Sequence, residues 1–177
     1  MLKYIISDML AMLRYLPYGG IAGLFAVMIL RGINKGRKKQ GRSEVSLPAV
    51  TCLVVYVAIM LVITYFSRES GSRSRSGIDL ELFSTWGINT RNNAYVVENV
   101  LLFIPYGFVL AWADVRQRHF LRNLLTGALT SFAIEYMQLV TQRGYFQIDD
   151  VLTNILGTIL GFLGYWLLHG ICCLWKK

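Results

Sequence analysis

The sequence predicts an all-α fold, a polytopic transmembrane helical bundle of about five spans, and three observations support that prediction. Hydrophobic residues make up 55% of the 177 residues, and the mean hydropathy is +0.48. Charged residues make up 16%, whereas a soluble domain carries about 25%. The apolar residues are also gathered into blocks that approach the length of a bilayer-spanning helix, roughly 20 residues.

Five such blocks follow one another along the chain. They run from Tyr15 to Leu30, Leu47 to Phe66, Val96 to Ala113, Leu121 to Thr141 and Val151 to Leu174. Residues 1–14 carry three charges on an otherwise apolar stretch, and this pattern favours an interfacial helix that leads into the first span. A cleaved signal peptide fits less well, because Arg14 and Pro17 interrupt its apolar region.

The distribution of Lys and Arg predicts the orientation, since short cytoplasmic loops are enriched in both. With five spans, residues 31–43, residues 114–122 and the tail residues Lys176 and Lys177 lie on one side and hold six, three and two positive charges. The other side holds seven. We therefore expect the N-terminus outside and the C-terminus inside. The net charge of +8 is spread over these loops rather than along one stripe, so no nucleic-acid partner is predicted.

The predicted spans divide the chain into four segments. Residues 1–46 hold the N-terminal helix, the first span and a basic cytoplasmic loop, and residues 47–95 hold the second span and an outer loop. Residues 96–174 form a core of three spans, and residues 175–177 form a basic tail. The first half of the outer loop is rich in Ser, Gly and Arg, which indicates a linker. Its second half alternates apolar and acidic residues from Ile78, as expected of a segment along the membrane surface.

Polar residues inside the predicted spans are costly and need a reason. The predicted topology brings three sets of them, from the third, fourth and fifth spans, to the outer side. The candidate functional residues are Asn99, Glu135, Gln138, Arg143, Asp149, Asp150 and Asn154. Glu135, Gln138 and Gln142 recur at helical spacing, so they are expected on one face. If these faces point inward, the three helices line an acidic, amide-rich pocket that opens outward.

A purely structural interpretation of the same residues stays open. Asp149 or Asp150 fits the N-cap of the fifth span, and Arg143 fits a counter-ion for Glu135 or either aspartate. Pro105 predicts a kink or a locally loosened helix within the third span, with Gly107 close behind it. The spacing of Gly157 and Gly161 predicts a close contact with another helix.

Catalytic constellations are missing from the sequence. The two histidines, His119 and His169, fall on the predicted cytoplasmic side, about a membrane thickness from the acidic residues. The three cysteines fit neither a disulfide framework nor a zinc spacing, and there is no phosphate-binding loop. No cofactor and no metal are predicted. A carboxylate site for a hard cation is left open by Glu98, Glu135, Asp149 and Asp150.

Three motifs with their order and spacing resemble the VanZ-like family. That family has an N-x-x-x-F-x-P-x-G helix, then an E-x-x-Q helix, then a D-x-x-x-N-x-x-G helix entry after a short loop. The residues that fall on this pattern are Asn99, Phe103, Pro105, Gly107, Glu135, Gln138, Asp150, Asn154 and Gly157. The match is close over residues 98–165 and loose over the second span and outer loop.

The resemblance implies a multi-pass protein of the bacterial cytoplasmic membrane that lowers susceptibility to lipoglycopeptide antibiotics such as teicoplanin. The expected partners are lipids and either the antibiotic or a cell-wall lipid precursor. Two alternatives remain from the residues. One is an intramembrane enzyme or carrier acting on a cell-envelope lipid, with Glu135 as base or proton carrier. The other is a structural partner of another membrane protein, bound through the face that carries Gly157 and Gly161.

Overall fold

The computed structural model describes residues 1–66, 68 and 77–175, and these residues form an all-α bundle. Most of the predicted linker, residues 67 and 69–76, and the tail lysines 176 and 177 lie outside the described residues. The helices are α1 (Leu2–Met12), α2 (Leu16–Lys39), α3 (Leu47–Leu61), α4 (Thr90–Ala113), α5 (Phe120–Val140) and α6 (Ile148–Leu174). Short 3-10 turns at Leu13–Tyr15 and Val115–Arg118 join α1 to α2 and α4 to α5. A π-helical turn, Val62–Phe66, extends α3.

Four of the predicted spans correspond to helices that are long and apolar enough to cross a membrane. Among the described residues these are Leu2–Lys39, Leu47–Phe66, Thr90–Ala113 and Ile148–Leu174. The first is longer than predicted, because residues 2–15 continue as helix into α2. The predicted fourth span is also a helix, α5, with 21 residues. Helix α5 is long enough to cross a membrane but less apolar than the other four, since several of its buried residues are polar.

Helices α4 and α6 form the most extensive helix pair, and glycines allow their close approach. A Cβ atom at Gly157 would collide with the carbonyl of Val100, and one at Gly161 with the carbonyl of Ile104. Gly107 meets the backbone of α6 in the same way. The close helix contact predicted from the glycine spacing is thus formed within the chain. This face is therefore covered and is not available to a second membrane protein.

The core next to this pair is apolar and contains the proline of α4. Phe103 is fully buried among side chains of α3, α4 and α5. Helix α4 runs as one helix through Pro105, whose missing N–H leaves one backbone carbonyl without its helical donor. Nearby, the Tyr56 hydroxyl of α3 donates to the Leu102 carbonyl at 2.5 Å. The proline segment is thus fixed against α3 by a side-chain hydrogen bond.

The start of α4, the end of α5 and the start of α6 meet at one end of the bundle, which we call the cluster end. Asn99 and Asn154 follow the first turns of α4 and α6, and Glu135 lies in the last turns of α5. Along α6, Gly157 and Gly161 approach Val100 and Ile104 of α4 in the same order. Asn154 and Thr158 approach Ser131 and Gly127 of α5 in the reverse order. Helices α4 and α6 therefore run in the same direction, and α5 runs opposite to them. The alternation of spans predicted for the core is therefore reproduced, and the side of the membrane that the cluster end faces stays a prediction.

Residues 77–89 fold over the cluster end, and we call them the cap. Strand β1 (Ile78–Asp79) of the cap pairs in parallel with strand β2 (Phe146–Gln147) between α5 and α6. Asp79 accepts hydrogen bonds from the Ser84 hydroxyl and the Glu81 N–H, and these bonds lower the pKa of its carboxyl. The larger apolar side chains of the cap are exposed: Ile78, Leu80, Leu82, Phe83, Trp86 and Ile88.

Candidate functional site

The centre of the candidate site is a group of polar side chains from α4, α5 and α6. The side-chain amide of Asn99 lies close to the carboxyl group of Asp150, which lies within electrostatic range of Glu135. Glu135 has 3% of its surface exposed. Its Oε2 is the acceptor of a long hydrogen bond, 3.5 Å, from the Gln147 N–H. Two carboxyl groups from different helices thus lie within electrostatic range of each other, and that of Glu135 is almost fully buried.

Asn154 occupies the next turn of α6, deeper in the bundle. Its amide donates to the Ser131 hydroxyl of α5 at 2.8 Å, and both residues are buried. Its carbonyl oxygen, Oδ1, has no hydrogen-bond donor among the described residues. Buried polar atoms are rarely left unpaired, because desolvation then goes uncompensated. The site therefore contains an unused acceptor next to two carboxyl groups.

Among the described residues, the cation that interacts electrostatically with both carboxyls is Arg68, which the predicted site did not include. Arg68 lies within electrostatic range of both Glu135 and Asp150, and its guanidinium donates to Gln138 Oε1 at 3.2 Å. The available signal in the sequence was its position: it follows the second span at the end of the bundle where the acidic residues were expected.

The prediction that Arg143 neutralises one of these carboxyls is wrong. Its guanidinium donates to the backbone carbonyls of Tyr65 at 3.1 Å and Arg68 at 2.7 Å. Gln138 likewise donates to the carbonyl of Thr64 at 2.8 Å. The last carbonyls of a helix lack partners within the helix. Arg143 and Gln138 supply these partners, so both side chains fix the π-helical end of α3 against α5.

Neither Asp149 nor Asp150 is the N-cap of α6, contrary to the structural interpretation. The N-cap is Gln147, which makes no side-chain capping bond, and both aspartates lie in the first turn. Asp149 is buried and accepts hydrogen bonds from the backbone N–H groups of Phe83 at 2.7 Å and Thr85 at 3.0 Å. Asp149 therefore holds the cap onto α6.

Replacing Asp149 with alanine should release the cap. Its carboxylate makes two charge-assisted hydrogen bonds, and losing them should lower the free energy of opening residues 83–85 by about 2 kcal/mol. Hydrogen–deuterium exchange of the purified protein in nanodiscs would show faster exchange in these residues. The control is Glu81→Gln, because this cap carboxylate is exposed. Equal protection of residues 83–85 in Asp149→Ala and the unchanged protein would contradict this role.

Gln142 and Glu98 lie outside the central group. Helix α5 ends at Val140 and Gln142 has a positive φ of 55°, so the predicted common face with Glu135 ends before Gln142. Glu98 is buried beside Asp8 of α1 and Arg91, which form a salt bridge at 2.7 Å. Its carboxyl thus belongs to the contact between α1 and α4.

The four carboxylates left open as a cation site do not form one. Within the described part of the chain, no group of three or more His, Cys, Asp or Glu side chains has the arrangement of a metal site. Glu98 lies with α1, Asp149 binds the cap, and Glu135 and Asp150 form a pair. The site thus offers the carboxyl groups of Glu135 and Asp150 and the side-chain carbonyl of Asn154.

Two lateral grooves on the bundle are lined mainly by apolar side chains. The larger, about 530 Å³, lies between the end of α3 and α5, and we call it the α3–α5 groove. The smaller, about 370 Å³, lies between α2 and α3. Ile134 contributes to the wall of the larger groove, whereas Glu135, the next residue, belongs to the polar group. The α3–α5 groove and the polar group therefore lie on different faces of α5.

The comparison with protein families finds a match over most of the chain. The VanZ/LLP1 family model covers residues 52–169, which include most of α3, the cap, α4, α5 and most of α6. No curated protein and no solved structure matches the chain. The motif residues lie where the resemblance required: Phe103 and Gly107 in the α4 core, Glu135 and Gln138 in α5, and Asn154 and Gly157 in α6. The chain is a membrane protein of the VanZ-like family.

Proposed function

We propose that this protein lies in the bacterial cytoplasmic membrane with its cluster end outward and lowers susceptibility to lipoglycopeptide antibiotics such as teicoplanin. In this proposal it reduces the amount of antibiotic bound at the outer cell surface. Family membership supports the link to resistance, and the charge asymmetry of the loops supports the orientation.

The observation behind this proposal is the buried polar group beneath the cap. Glu135 is 3% exposed within a membrane helix, where a polar or ionisable side chain is costly and usually functional. Together with Asp150 and the unpaired Asn154 Oδ1, it makes the group rich in acceptors. Peptide N–H and ammonium groups, which are donors, are the ligand groups that such a site takes. Opening of the cap would turn this group into an outward-facing polar pocket.

The test is the binding of a fluorescent teicoplanin derivative to whole cells. Cells that express the protein should bind less antibiotic than cells without it, and cells with Glu135→Gln, Asp150→Asn or Asn154→Ala should match the latter. The exposed carboxylate variant Glu81→Gln is the matched control and should behave like the unchanged protein. Protein level in the membrane is measured in every strain, so that loss of effect is separated from loss of protein.

A second comparison tests the role of the lipid tail. Vancomycin, which lacks the tail, should be affected less than teicoplanin if the protein acts against tailed antibiotics at the membrane surface. Equal binding of fluorescent teicoplanin in all strains would overturn the interference mechanism.

The paired carboxyls of Glu135 and Asp150 favour one alternative, an intramembrane enzyme or carrier for a cell-envelope lipid. Two carboxyl groups within electrostatic range of each other are the minimum set for acid and base roles in proton transfer. In that case the lipid-linked cell-wall precursors should accumulate or disappear in a Glu135→Gln strain. An unchanged precursor profile would count against this alternative.

A further inference from the structure

The α3–α5 groove has the dimensions of one bilayer leaflet. Its wall on α5 extends from Thr126 to Met137, eleven residues apart, or about 16 Å along the helix axis. The hydrocarbon core of a bilayer is about 30 Å thick, so one leaflet is roughly half of that. The groove starts near the cluster end, beside Tyr65 and Met137, and continues toward the middle of the bundle.

The lining of the groove suits an acyl chain. Leu61 and Phe66 form one wall, and Leu129, Ala133 and Met137 form the other. Leu129, Ala133 and Met137 are exposed, so the groove opens toward the surrounding lipid. The π-helical turn Val62–Phe66 forms the part of the α3 wall that is nearest the cluster end. Such turns are rare and often accompany functional sites.

A cation, Arg143, lies against one residue of the groove wall, Tyr65, near the cluster end. The guanidinium carbon of Arg143 lies 4.7 Å from the ring centre of Tyr65, which lines the groove. The two carbonyl bonds to Tyr65 and Arg68 hold this guanidinium in place. Among residues 1–66, 68 and 77–175, no carboxylate lies within salt-bridge distance of it. Its Nε, which is buried, also has no acceptor there.

We propose that the α3–α5 groove binds one acyl chain of an anionic phospholipid, whose phosphate lies against Arg143. The apolar lining and the depth of one leaflet fit an acyl chain, and the cation beside Tyr65 favours a head group of net negative charge over a zwitterionic one. The lipid site is separate from the polar group around Glu135 and does not depend on the proposed action against antibiotics.

The experiment measures lipid retention by the full-length protein after washing in mild detergent. The protein is incubated with equal amounts of phosphatidylglycerol and phosphatidylcholine, and the retained lipids are quantified by mass spectrometry. We expect roughly fivefold more phosphatidylglycerol than phosphatidylcholine, from one guanidinium acting on the anionic head group. In Ala133→Phe, which fills the groove from an exposed position, retention of phosphatidylglycerol should fall to background.

The matched control is Ala22→Phe, which fills the smaller groove between α2 and α3 and should leave retention unchanged. Arg143→Gln should abolish the preference for phosphatidylglycerol. Because this change also frees the end of α3, Ala133→Phe tests the site without altering Arg143. Equal retention of the two lipids by the unchanged protein would overturn the proposal. So would equal losses in Ala133→Phe and Ala22→Phe, because the retained lipid would then belong to the general lipid shell.

Discussion

Replacing Gly161 with leucine should lower the free energy of unfolding by about 3 kcal/mol. At this position even a Cβ atom would collide with the backbone carbonyl of Ile104, and backbone cannot move aside as a flexible side chain can. The α4–α6 pair would have to separate, and it positions Asn99 on one helix and Asn154 on the other. Thermal unfolding of the purified protein in detergent, followed by loss of monodisperse protein, measures the effect.

The control for this prediction lies on the same helix. Gly170 is exposed near the end of α6, and a Cβ atom there meets nothing within 4 Å. Gly170→Leu should therefore unfold at the same temperature as the unchanged protein or slightly above it, since glycine is a poor helix former. A Gly161→Leu variant as stable as Gly170→Leu would show that the close approach of α4 and α6 is not needed.

Replacing Arg68 with glutamine should destabilise the protein by about 1 to 2 kcal/mol. Removing one partner of a fully buried ion pair costs about 3 to 5 kcal/mol, because a charge remains uncompensated. Arg68 itself is exposed, so solvent screens part of this effect. Its bond to Gln138 Oε1 is lost as well. The measurement is again thermal unfolding in detergent, and Arg122→Gln, at an exposed position near the start of α5, is the control.

A double-mutant cycle identifies the cause of that loss. If Arg68 acts as the counter-ion of Glu135, the change Arg68→Gln should cost less when Glu135 is already glutamine. Neighbouring groups typically show coupling energies of about 0.5 to 3 kcal/mol. Additive effects of the two changes would contradict the assignment of Arg68 as the counter-ion.

The positions of the helices could be predicted from the sequence, because each depends on a local run of apolar residues. The second and fifth predicted spans coincide with Leu47–Phe66 and most of α6. The fourth was predicted within one residue of α5 at each end. The close helix contact through Gly157 and Gly161 could also be predicted from the sequence, since it depends on residues four positions apart on one helix face. A helix over residues 1–14 was also predicted, as an interfacial helix that leads into the first span, and in the structure it continues into α2.

The convergence of Asn99, Glu135 and Asp150 was likewise predictable, because alternating spans leave few arrangements for residues near span ends. Their individual partners were not predictable. The structural interpretation left Arg143 open as a counter-ion for the carboxyls and either Asp149 or Asp150 as a helix cap, because each was close in sequence to a group of the right chemistry. In the folded chain Arg143 binds backbone carbonyls that are 75 and 78 residues away in the sequence. Asp149 binds backbone N–H groups of the cap that are 64 and 66 residues away in the sequence.

The sequence by itself therefore determined the membrane class, the helices, the end of the bundle where the polar residues meet and the family. The tertiary structure alone decided that Arg68 faces the carboxyls and that Asp149 holds the cap. It also decided that α3 and α5 leave an apolar groove beside Arg143. The physical reason is range. Hydropathy and helical periodicity act over one helix, whereas hydrogen-bond partners and grooves depend on which distant backbone groups the packing leaves free.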